Sequence, residues 1–540
     1  MTLRIYIALE GDTLRTIARR LHLEIAELLL QNPSITDPDR TVQGFQVRLP
    51  DAGQPSDVVM CPPSIVEGEL DNWIPLTPLE QMAETEYDVL IVGSGAGGGA
   101  VLWRLSEQWG NNGKKIGLVE AGNLFLPTHV LNVPTINFQQ GYMLAEKQYT
   151  HIGPQFSGFV KKLVFGGGTL FWGAVSPRMS NFEIENWPIS LREMNDYYKI
   201  AERIMKVNTD FAKGSSFSEV FLERLQRNGY SEAAHRPMAV DLASSQYGML
   251  HSNVFFSSII FFAYALNRRP VDIAVNAHVT KVLTDNGKTA GVEVITPNNQ
   301  KFVLKAKKVV VSASTLETPR ILLNSGIQGR AIGHYLTSHS GIWAVGFVSR
   351  DHFSEVLGNL SIYIPETLQS PFQVEIQRFD KYYIYKYEEE TVLKELDLFI
   401  FGAGKTESRF DNYLTLDPLK KDKFGFPEVQ VHFSYSERDK QVIRQTIEGV
   451  KHVVKVLGVT LKSPICVLYP GRSRHFSGTC RIGSDPQTAA ANPHGEIFGV
   501  SGLFVADNSA LPSVSAANPT LTTIALAIRT ADHIVRQFQS

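Results

Sequence analysis

Several features that mark particular classes of protein are scarce in this chain of 540 residues. Its three cysteines, Cys61, Cys466 and Cys480, are too few for a disulfide framework and lack metal-ligand spacing, so the sequence predicts no metal site. Positive and negative charges nearly cancel, at a net charge of −2, and no basic stripe is present, so no nucleic-acid partner is expected. The richest apolar stretch, residues 254–266, is too short to cross a bilayer, so no membrane span is expected.

The composition is that of an ordinary globular protein. Apolar residues make up 43% of the chain and charged residues 20%, which are typical fractions. A chain of this length can bury large cores and must hold more than one domain. No signal peptide is visible in the first residues, so a cytoplasmic location is expected.

A glycine-rich turn is the strongest motif in the first quarter of the chain. Residues 88–92 form a short, nearly continuous apolar run, as in a parallel strand that is buried on both faces. Gly93, Gly95 and Gly98 follow with G-x-G-x-x-G spacing, and residues 100–109 have the apolar periodicity of a helix. Such glycines permit a tight turn, a close approach of the backbone to a pyrophosphate, and close packing of helix on strand. Backbone N–H groups at the helix start then face the phosphates.

A second strand and an acid complete a dinucleotide-binding motif. Residues 116–119 predict this strand, and Glu120 at its end can accept hydrogen bonds from ribose hydroxyls. The motif by itself fits NAD or FAD. An NAD domain normally completes its nucleotide site within one contiguous half, whereas further candidate segments lie here at residues 271–283, 308–312 and 330–336. This scatter favours FAD.

Two polar residues stand out near the C-terminus. His475 opens the run HFSGTCRIG, and Asn518 precedes Pro519 in the segment AANPT. Between them, an apolar segment with the pattern of a strand ends in Asp507. Taken alone, a loop histidine and an asparagine before a proline are ordinary structural residues. They gain meaning from the motifs that precede them.

In this order, the motifs resemble those of the glucose–methanol–choline (GMC) oxidoreductases, a family of FAD enzymes. The resemblance runs from about residue 86 to the C-terminus, and FGGGTLFWGAVSPR and ANPTLT match best the bacterial and pyranose-oxidase-like branch. The motifs that carry it are residues 93–98 with Glu120, 166–169 with Trp172, 187–189, 318–319 with 325–326, 412–427, and the His475 run with Asn518 and Pro519. One departure is Ser312–Ala313–Ser314, where the family usually has glycine.

The resemblance implies how FAD is held. The residues expected to contact it are Gly93, Gly95, Ala96, Gly98, Glu120, Gly167, Thr169, Trp172, Val279, Asp507, Asn518 and Pro519. Pyranose 2-oxidases attach the flavin covalently through a histidine beside the matching tryptophan. Phe171 stands at that position, so the resemblance implies that FAD is bound non-covalently.

The resemblance also implies an alcohol oxidation with named catalytic residues. A base takes the hydroxyl proton while the carbinol hydride moves to flavin N5, and His475 matches the position of that base. Asn518 matches the second active-site position, where an amide can donate to the substrate oxygen without competing as a base. His339 is expected to pack or hydrogen-bond near the site wall.

The expected fold is α/β (α+β), with a Rossmann-like FAD-binding domain and a sheet-based substrate domain. The resemblance assigns residues 86–178, 271–336 and 466–540 to the FAD domain, and residues 179–269 and 339–465 to the substrate domain. Aromatic and polar residues alternate over residues 372–387, which predicts a strand of the substrate domain.

The first 50 residues read as a separate module. Gly11–Asp12–Thr13 predicts the cap of a helix over residues 14–21, a second helix ends at Asn32–Pro33, and residues 46–49 predict a closing strand. This β–α–α–β pattern resembles a LysM module, which commonly binds glycans that contain N-acetylglucosamine. A stabilising appendage without a ligand is the alternative. Residues 51–85, rich in proline, are expected to be a linker.

Three functions remain open at this point. The first is FAD-dependent oxidation of an alcohol group of a sugar, glycoside or polyol, with O₂ or a quinone as the electron acceptor. The second is oxidation of an apolar alcohol or sterol, with Phe255, Phe256, Phe261 and Phe262 lining the pocket. The third is glycan binding by a protein whose flavin domain is inactive, with cell-envelope association through the LysM-like module.

Overall fold

A computed structural model describes residues 4–50, 72–133, 136, 156, 163–243, 254–353, 358–378 and 394–539. These residues fall into two compact units, Met1–Asp71 and Asn72–Ser540. Residues 51–71 of the predicted linker, Cys61, and residues 379–387 of the predicted alternating strand lie outside the described residues. No described helix is both long and apolar enough to cross a membrane.

The first unit contains two strands and two helices in the expected order: β1 (Arg4–Ile7), α1 (Leu14–Leu21), α2 (Ile25–Gln31) and β2 (Gln46–Leu49). The strands pair antiparallel, and a capping box at Thr13 starts α1. The Asp12 side chain is buried and accepts from the backbone N–H of Leu9 and from the Arg20 guanidinium. Asn32 hydrogen-bonds backbone groups of Leu28 and Arg48. The aspartate and asparagine of the predicted module therefore hold its turns together.

The second unit begins with a mixture of helices and strands. Up to residue 274 they are α3 (Leu79–Ala83), β3 (Glu86–Val92), α4 (Ala96–Trp109), β4 (Ile116–Val119), α5 (Asn181–Ile184), α6 (Leu191–Met205), β5 (Val207–Asn208), α7 (Ser216–Arg227), β6 (Ala234–His235), β7 (Met238–Ala239), α8 (Ile259–Arg268) and β8 (Asp272–Ala274).

Most of the remaining elements are strands. They are β9 (His278–Asp285), β10 (Lys288–Ile295), β11 (Lys301–Val311), α9 (Glu317–Asn324), β12 (Thr337–Ser338), β13 (Ser340–Ser349), β14 (Ser361–Ile364), β15 (Phe372–Gln377), β16 (Glu395–Gly404), β17 (Tyr413–Lys421), β18 (Pro427–His432), α10 (Glu437–Leu457), β19 (Thr460–Leu461), β20 (Cys466–Val467), β21 (Phe476–Ser477), β22 (Leu503–Val505) and α11 (Thr520–Gln539).

The first of two seven-stranded sheets, which we call the nucleotide sheet, has the order β8-β4-β3-β11-β10-β9, and β22 also pairs with β11. Strands β8, β4, β3, β11 and β22 run parallel, so their carboxyl ends meet at one edge. Ligands of open α/β sheets bind outside such an edge. Helices α4 and α11 pack beside these strands, and their apolar residues share one core with the strands.

Helix α4 begins four residues before the predicted start. Glycines at positions 97–99 lower helix propensity by about 1 kcal/mol each, which concealed the first turn in the sequence. Gly97 and Gly98 are required because the helix lies against neighbouring backbone at these two positions. A Cβ atom on Gly97 would lie 1.6 Å from the Ala506 carbonyl oxygen, and one on Gly98 would lie 1.9 Å from the Gly93 carbonyl oxygen.

The second sheet has the order β19-β13-β16-β15-β14-β6, with β20 also paired to β13, and all its pairings are antiparallel. Its side chains alternate between two faces. Ile342, Val374 and Ile400 lie on the face that packs against α10. Trp343 and Phe401 lie on the opposite face, in a separate cluster. That opposite face is available to form the wall of a site.

Candidate active site

A cavity of about 480 Å³ lies between the carboxyl edge of the nucleotide sheet and the second sheet. Its volume is within the range of about 300–1,000 Å³ that is usual for small-molecule sites. Its lining comes from the glycine turn and Glu120, from residues 163–175 and 277–321, from strands β13, β15 and β16, and from residues 468–523. The cavity therefore draws residues from both sheets.

The glycine turn supplies backbone donors to one end of the cavity. Gly93 has a φ of +101°, a conformation that L side chains rarely adopt. Gly95 is the N-cap of α4 and makes no side-chain capping bond, and Gly95, Ala96 and Gly97 line the cavity. The first turn of a 14-residue helix thus points its N–H groups and the positive end of its dipole at the cavity.

Glu120 follows directly on β4, beside the glycine turn. It is buried and accepts hydrogen bonds from the Ser94 backbone N–H at 3.0 Å, the Ser94 hydroxyl at 2.6 Å and the Gly122 N–H at 2.8 Å. Burial raises the pKa of this carboxyl group, and the three hydrogen bonds oppose that rise. Ser94 also accepts from the Gly166 N–H, which ties Glu120 to the next part of the lining.

The segment that begins at Gly166 forms a second wall of the cavity. Gly167 starts a short 3₁₀ helix with a φ of +55°, and a Cβ atom there would lie 3.2 Å from the Gly95 Cα. The Thr169 hydroxyl donates to the Gly166 carbonyl at 2.7 Å, and the Trp172 indole N–H donates to the Phe256 carbonyl at 2.8 Å. These bonds fix a wall of which Thr169 and Trp172 are lining residues.

Asp507 lies beyond the carboxyl end of β22. Its carboxylate is buried and accepts from the Ser314 N–H at 2.9 Å, the Thr318 hydroxyl at 2.5 Å and the Ser509 N–H at 2.8 Å. Burial raises the pKa of this carboxyl group as well. Ser314 has a φ of +86°, a backbone conformation that glycine adopts freely and in which serine is strained.

These residues fit the predicted dinucleotide. The glycines at positions 93, 97 and 98 lie too close to neighbouring backbone for any side chain. A helix N-terminus without a side-chain cap and a carboxylate at the end of the next strand lie on the same cavity, as binding of a pyrophosphate and a ribose requires. Val279 on β9 lines the cavity close to the strand ends.

His475 and Asn518 meet on the side of the cavity formed with the second sheet. The Asn518 Nδ2 atom lies 3.5 Å from the His475 Nε2 atom. On the other side of the His475 ring, the Nδ1 atom of His475 lies 3.0 Å from the Nδ1 atom of His339. Burial is the main reason that the pKa of His475 is lowered well below its usual value of 6.5, and electrostatic interaction with the nearby His339 and Arg474 lowers it further. The ring is therefore neutral at neutral pH and can accept a proton.

A buried polar network reaches Asn518 from the second sheet. The Gln373 amide nitrogen donates to Asn518 Oδ1 at 2.8 Å and to Glu375 at 3.0 Å. Glu375 forms a salt bridge of 3.2 Å with Arg236, and each side chain of the pair is only 4% exposed. Arg236 also donates to Gln377 Oε1 at 2.6 Å. Glu375 and Gln377 line the cavity.

Two of the predicted cofactor residues lie outside the cavity lining. Gly98 packs α4 against the glycine turn, which is the helix–strand role of a third glycine. Pro519 precedes α11, and its carbonyl accepts from the Thr523 N–H at 2.9 Å, so its position is at the start of that helix. The other predicted site residues line the cavity: Gly93, Gly95, Ala96, Glu120, Gly167, Thr169, Trp172, Val279, His475, Asp507 and Asn518.

The sequence did not single out several lining or supporting residues: Ser94, Gly97, Trp343, Gln373, Glu375, Gln377 and Phe401. A polar side chain at every second position of an apolar strand, as in FQVEIQ, was the available signal for the residues of β15. By contrast, Phe255, Phe256, Phe261 and Phe262 do not line the cavity; they are buried in the core beside α4.

Comparison with known proteins gives a family and a class of activity. Two family models, both described as GMC oxidoreductase, match residues 113–341 and 407–527. The chain is 30% identical over 399 residues to C-glycoside 3-oxidase of Arthrobacter globiformis, which covers 69% of this chain and 74% of that protein. It is 23% identical over 412 residues to pyranose 2-oxidase of Tricholoma matsutake, covering 68% of this chain and 72% of that protein.

Among solved structures, the chain resembles formate oxidase of Aspergillus oryzae RIB40. The TM-score is 0.64 at 15% sequence identity, and the match covers 84% of this chain and 99% of that chain. At this identity the likeness shows the fold alone, a mixed α/β architecture.

Proposed function

Because this chain belongs to the GMC oxidoreductase family, we propose that it oxidises a CH–OH group of a sugar, a glycoside or another polyol. The family predicted from the sequence is confirmed, and so are its cofactor, FAD, and its class, an oxidoreductase that acts on alcohol donors. The likeness to a C-glycoside oxidase and a pyranose oxidase supports a place near the pyranose-oxidase-like branch. Either O₂ or a quinone is the proposed electron acceptor.

The proposed roles follow from the geometry of the cavity. When bound, FAD supplies the acceptor for the hydride that leaves the carbinol carbon. His475 takes the hydroxyl proton, because its ring is neutral at working pH and lies at the cavity wall. Asn518 donates from Nδ2 to the substrate oxygen, because Gln373 occupies its Oδ1 atom. The imidazolium that results stabilises negative charge beside it.

The polar wall formed by Glu375 and Gln377 is the observation that carries the choice of substrate. Replacing a buried ion pair such as Arg236–Glu375 by apolar side chains of similar volume is often neutral or stabilising. Binding of a ligand with several hydroxyl groups explains why charged and amide side chains are kept on a cavity wall, since hydroxyls need both hydrogen-bond donors and acceptors. Trp343 and Phe401 add an apolar surface beside it.

A substitution of Gln377 tests this choice. The Gln377→Leu variant should raise the half-saturating concentration of a glycoside about tenfold, the cost of roughly one lost hydrogen bond, and should leave that of a monohydric alcohol unchanged. Gln430→Leu is the matched control, because Gln430 hydrogen-bonds Asp417 on the β17–β18 hairpin, outside the cavity lining. Equal effects on both substrates, or none on the glycoside, would exclude a polar wall that recognises hydroxyls.

The activity should depend on pH in a direction set by His475. Its pKa is lowered, so the neutral form that accepts a proton persists to lower pH than for an ordinary histidine. We therefore expect the limiting rate of flavin reduction to stay level from about pH 8 down through pH 6.5 and to fall only below it. Anaerobic stopped-flow measurements across this range give the profile. A rate profile with its midpoint at or above pH 6.5 would contradict the claim that His475 is a buried base with a lowered pKa.

Phe171 supports non-covalent attachment of FAD. It lines the cavity next to Trp172, where a covalent link to the flavin would need a histidine. We expect acid precipitation of the protein to release all the yellow colour into the supernatant. Colour that remains with the precipitated chain would show a covalent bond at some other residue.

The first unit is proposed to be a LysM-like glycan-binding module. Its β–α–α–β order supports this, and Asp12 and Asn32 make hydrogen bonds within the module that serve its own fold. Its glycine, aspartate and asparagine signature therefore fits a bare appendage equally well. The division of the remaining chain into FAD and substrate segments at residues 178/179, 269/271, 336/339 and 465/466 is also proposed.

Deletion of residues 1–50 tests the module. The truncated protein should remain folded, yellow and active, because the glycine turn and every residue that lines the cavity lie in the second unit. Flavin content, rate on a soluble substrate, and retention on chitin and peptidoglycan are compared with those of the full chain. If the module is a glycan anchor, the truncated protein should lose only its retention on chitin or peptidoglycan. If the module is an appendage, the full chain should show no retention on either material. A flavin-free or insoluble product would contradict independence of the module.

A further inference from the structure

His339 lies directly behind His475, away from the cavity. Strand β12 pairs antiparallel with β21 in the register Ser338↔Phe476, so the next pair along is His339 opposite His475. The His339 side chain is buried, at 1% exposure, and it is absent from the cavity lining. Its Nε2 atom lies 2.7 Å from the Ser515 carbonyl oxygen and its Nδ1 atom lies 3.0 Å from His475 Nδ1.

These two distances determine where the protons are. A carbonyl oxygen can only accept, so His339 must carry its proton on Nε2. A neutral imidazole has a single N–H, so the His339 Nδ1 atom is an acceptor. His475 Nδ1 must then be the donor across the 3.0 Å contact. The remaining nitrogen of neutral His475, Nε2, therefore bears a lone pair.

Burial supports this assignment from the side of His339. It lowers the pKa of His339 to about 4, so the ring is neutral throughout the neutral range. The contact of His475 with Asn518, on the opposite side of the ring, also fits an unprotonated Nε2 atom. Because Gln373 occupies Asn518 Oδ1, the amide presents its Nδ2–H group to His475 Nε2, at a long 3.5 Å.

We propose that His339 is a positioning residue that fixes the tautomer of His475, so that its unprotonated Nε2 faces the cavity and takes the proton of the substrate hydroxyl. This inference rests on the proposed function above. In the step, the substrate O–H bond breaks and an N–H bond forms at Nε2, which leaves an imidazolium. The electron pair of the O–H bond forms the second carbon–oxygen bond, and the carbinol C–H bond breaks with its electron pair leaving as the hydride, for which bound FAD would supply the acceptor. The Nδ1–H···Nδ1 bond to His339 persists in both charge states of His475.

A pair of variants separates orientation from simple packing. His339→Leu removes the acceptor, and His475 can then adopt the other tautomer. The limiting rate of anaerobic flavin reduction should fall about 10- to 100-fold, the range found when an orienting partner of a metal-ligating histidine is removed. The half-saturating substrate concentration should hardly change, because His339 does not line the cavity. His339→Gln, whose amide offers both an acceptor and a donor, should restore a large part of the rate.

Thr406→Val is the matched control. The Thr406 hydroxyl is buried and donates to the Ser338 carbonyl at 3.1 Å, so the variant loses one hydrogen bond beside His339 without touching His475. It should reduce flavin at the native rate. Equal losses in Thr406→Val and His339→Leu, or a native rate in His339→Leu, would overturn the proposal.

Nitrogen NMR of the wild-type protein with ¹⁵N-labelled histidine rings gives a readout that is independent of activity. The signals of His475 are assigned by comparison with a His475→Gln sample. At neutral pH, we expect Nδ1 of wild-type His475 to carry the proton and Nε2 to be bare. A proton on Nε2 would overturn the proposal even if His475 is the base. If His475 itself proves dispensable for flavin reduction, the proposed function fails instead, so the two failures are distinguishable.

Discussion

Replacing His475 with alanine is expected to lower the limiting rate of flavin reduction by about 10²–10⁴-fold, the usual loss for a general base. FAD should remain bound, because His475 lies at the cavity wall formed with the second sheet, away from the glycine turn and Glu120. Anaerobic stopped-flow mixing with substrate measures the rate, and the visible flavin spectrum of the purified variant measures the cofactor.

Asn518→Ala is the informative comparison for that variant. It removes a donor to the substrate oxygen but leaves the proton acceptor in place, so its loss of rate should be smaller. Ser473→Ala serves as the control, because the Ser473 hydroxyl makes only long contacts, 3.5 Å from the His475 backbone N–H and 3.3 Å from the Ser338 hydroxyl. A His475→Ala variant that reduces its flavin at near-native rate would remove this histidine from the mechanism.

Replacing Gly97 with alanine is expected to abolish FAD binding. The added Cβ would lie 1.6 Å from the Ala506 carbonyl oxygen, and backbone cannot yield as a flexible side chain does. Helix α4 would have to move away from β22, which displaces its N–H groups from the cavity. The ratio of flavin to protein after purification measures the outcome.

Gly99→Ala is the matched control for this steric argument. It lies in the same helix turn, and its new Cβ would lie 3.1 Å from side-chain atoms of Phe261 and Ser258. Side chains can shift by a few tenths of an ångström, so this variant should keep most of its flavin. A Gly97→Ala protein with a full complement of FAD would mean that the approach of α4 to residue 506 is looser than the structure shows.

The nucleotide site could be predicted because its signals are local. Gly93, Gly95 and Glu120 lie within 30 residues of one another, and strand, turn and helix each restrict their sequence. Even there, the run of glycines concealed the first turn of α4. Contacts with Ala506, about 400 residues away, hold that turn in place, and no local propensity reports such a contact.

The supporting residues of the substrate side could not be predicted, because their partners are distant in sequence. His339 and His475 are 136 residues apart and meet through the pairing of two short strands. Gln373 and Asn518 are 145 residues apart. The aromatic run at residues 255–262 predicted an apolar pocket in one alternative, but those rings pack into the core beside α4. Hydrophobicity alone does not distinguish a cavity wall from a core.

The most direct test of the central claim is anaerobic reduction of the native enzyme by a matched panel of alcohols. Purified protein is mixed without oxygen with a C-glycoside, a pyranose, a short diol, an apolar long-chain alcohol and a sterol, and the flavin absorbance is followed. We predict rapid bleaching by the polyhydroxy compounds and little or none by the apolar ones, since the wall at Glu375 and Gln377 is polar. Bleaching by apolar alcohols alone, or glycan binding without any bleaching, would contradict the account.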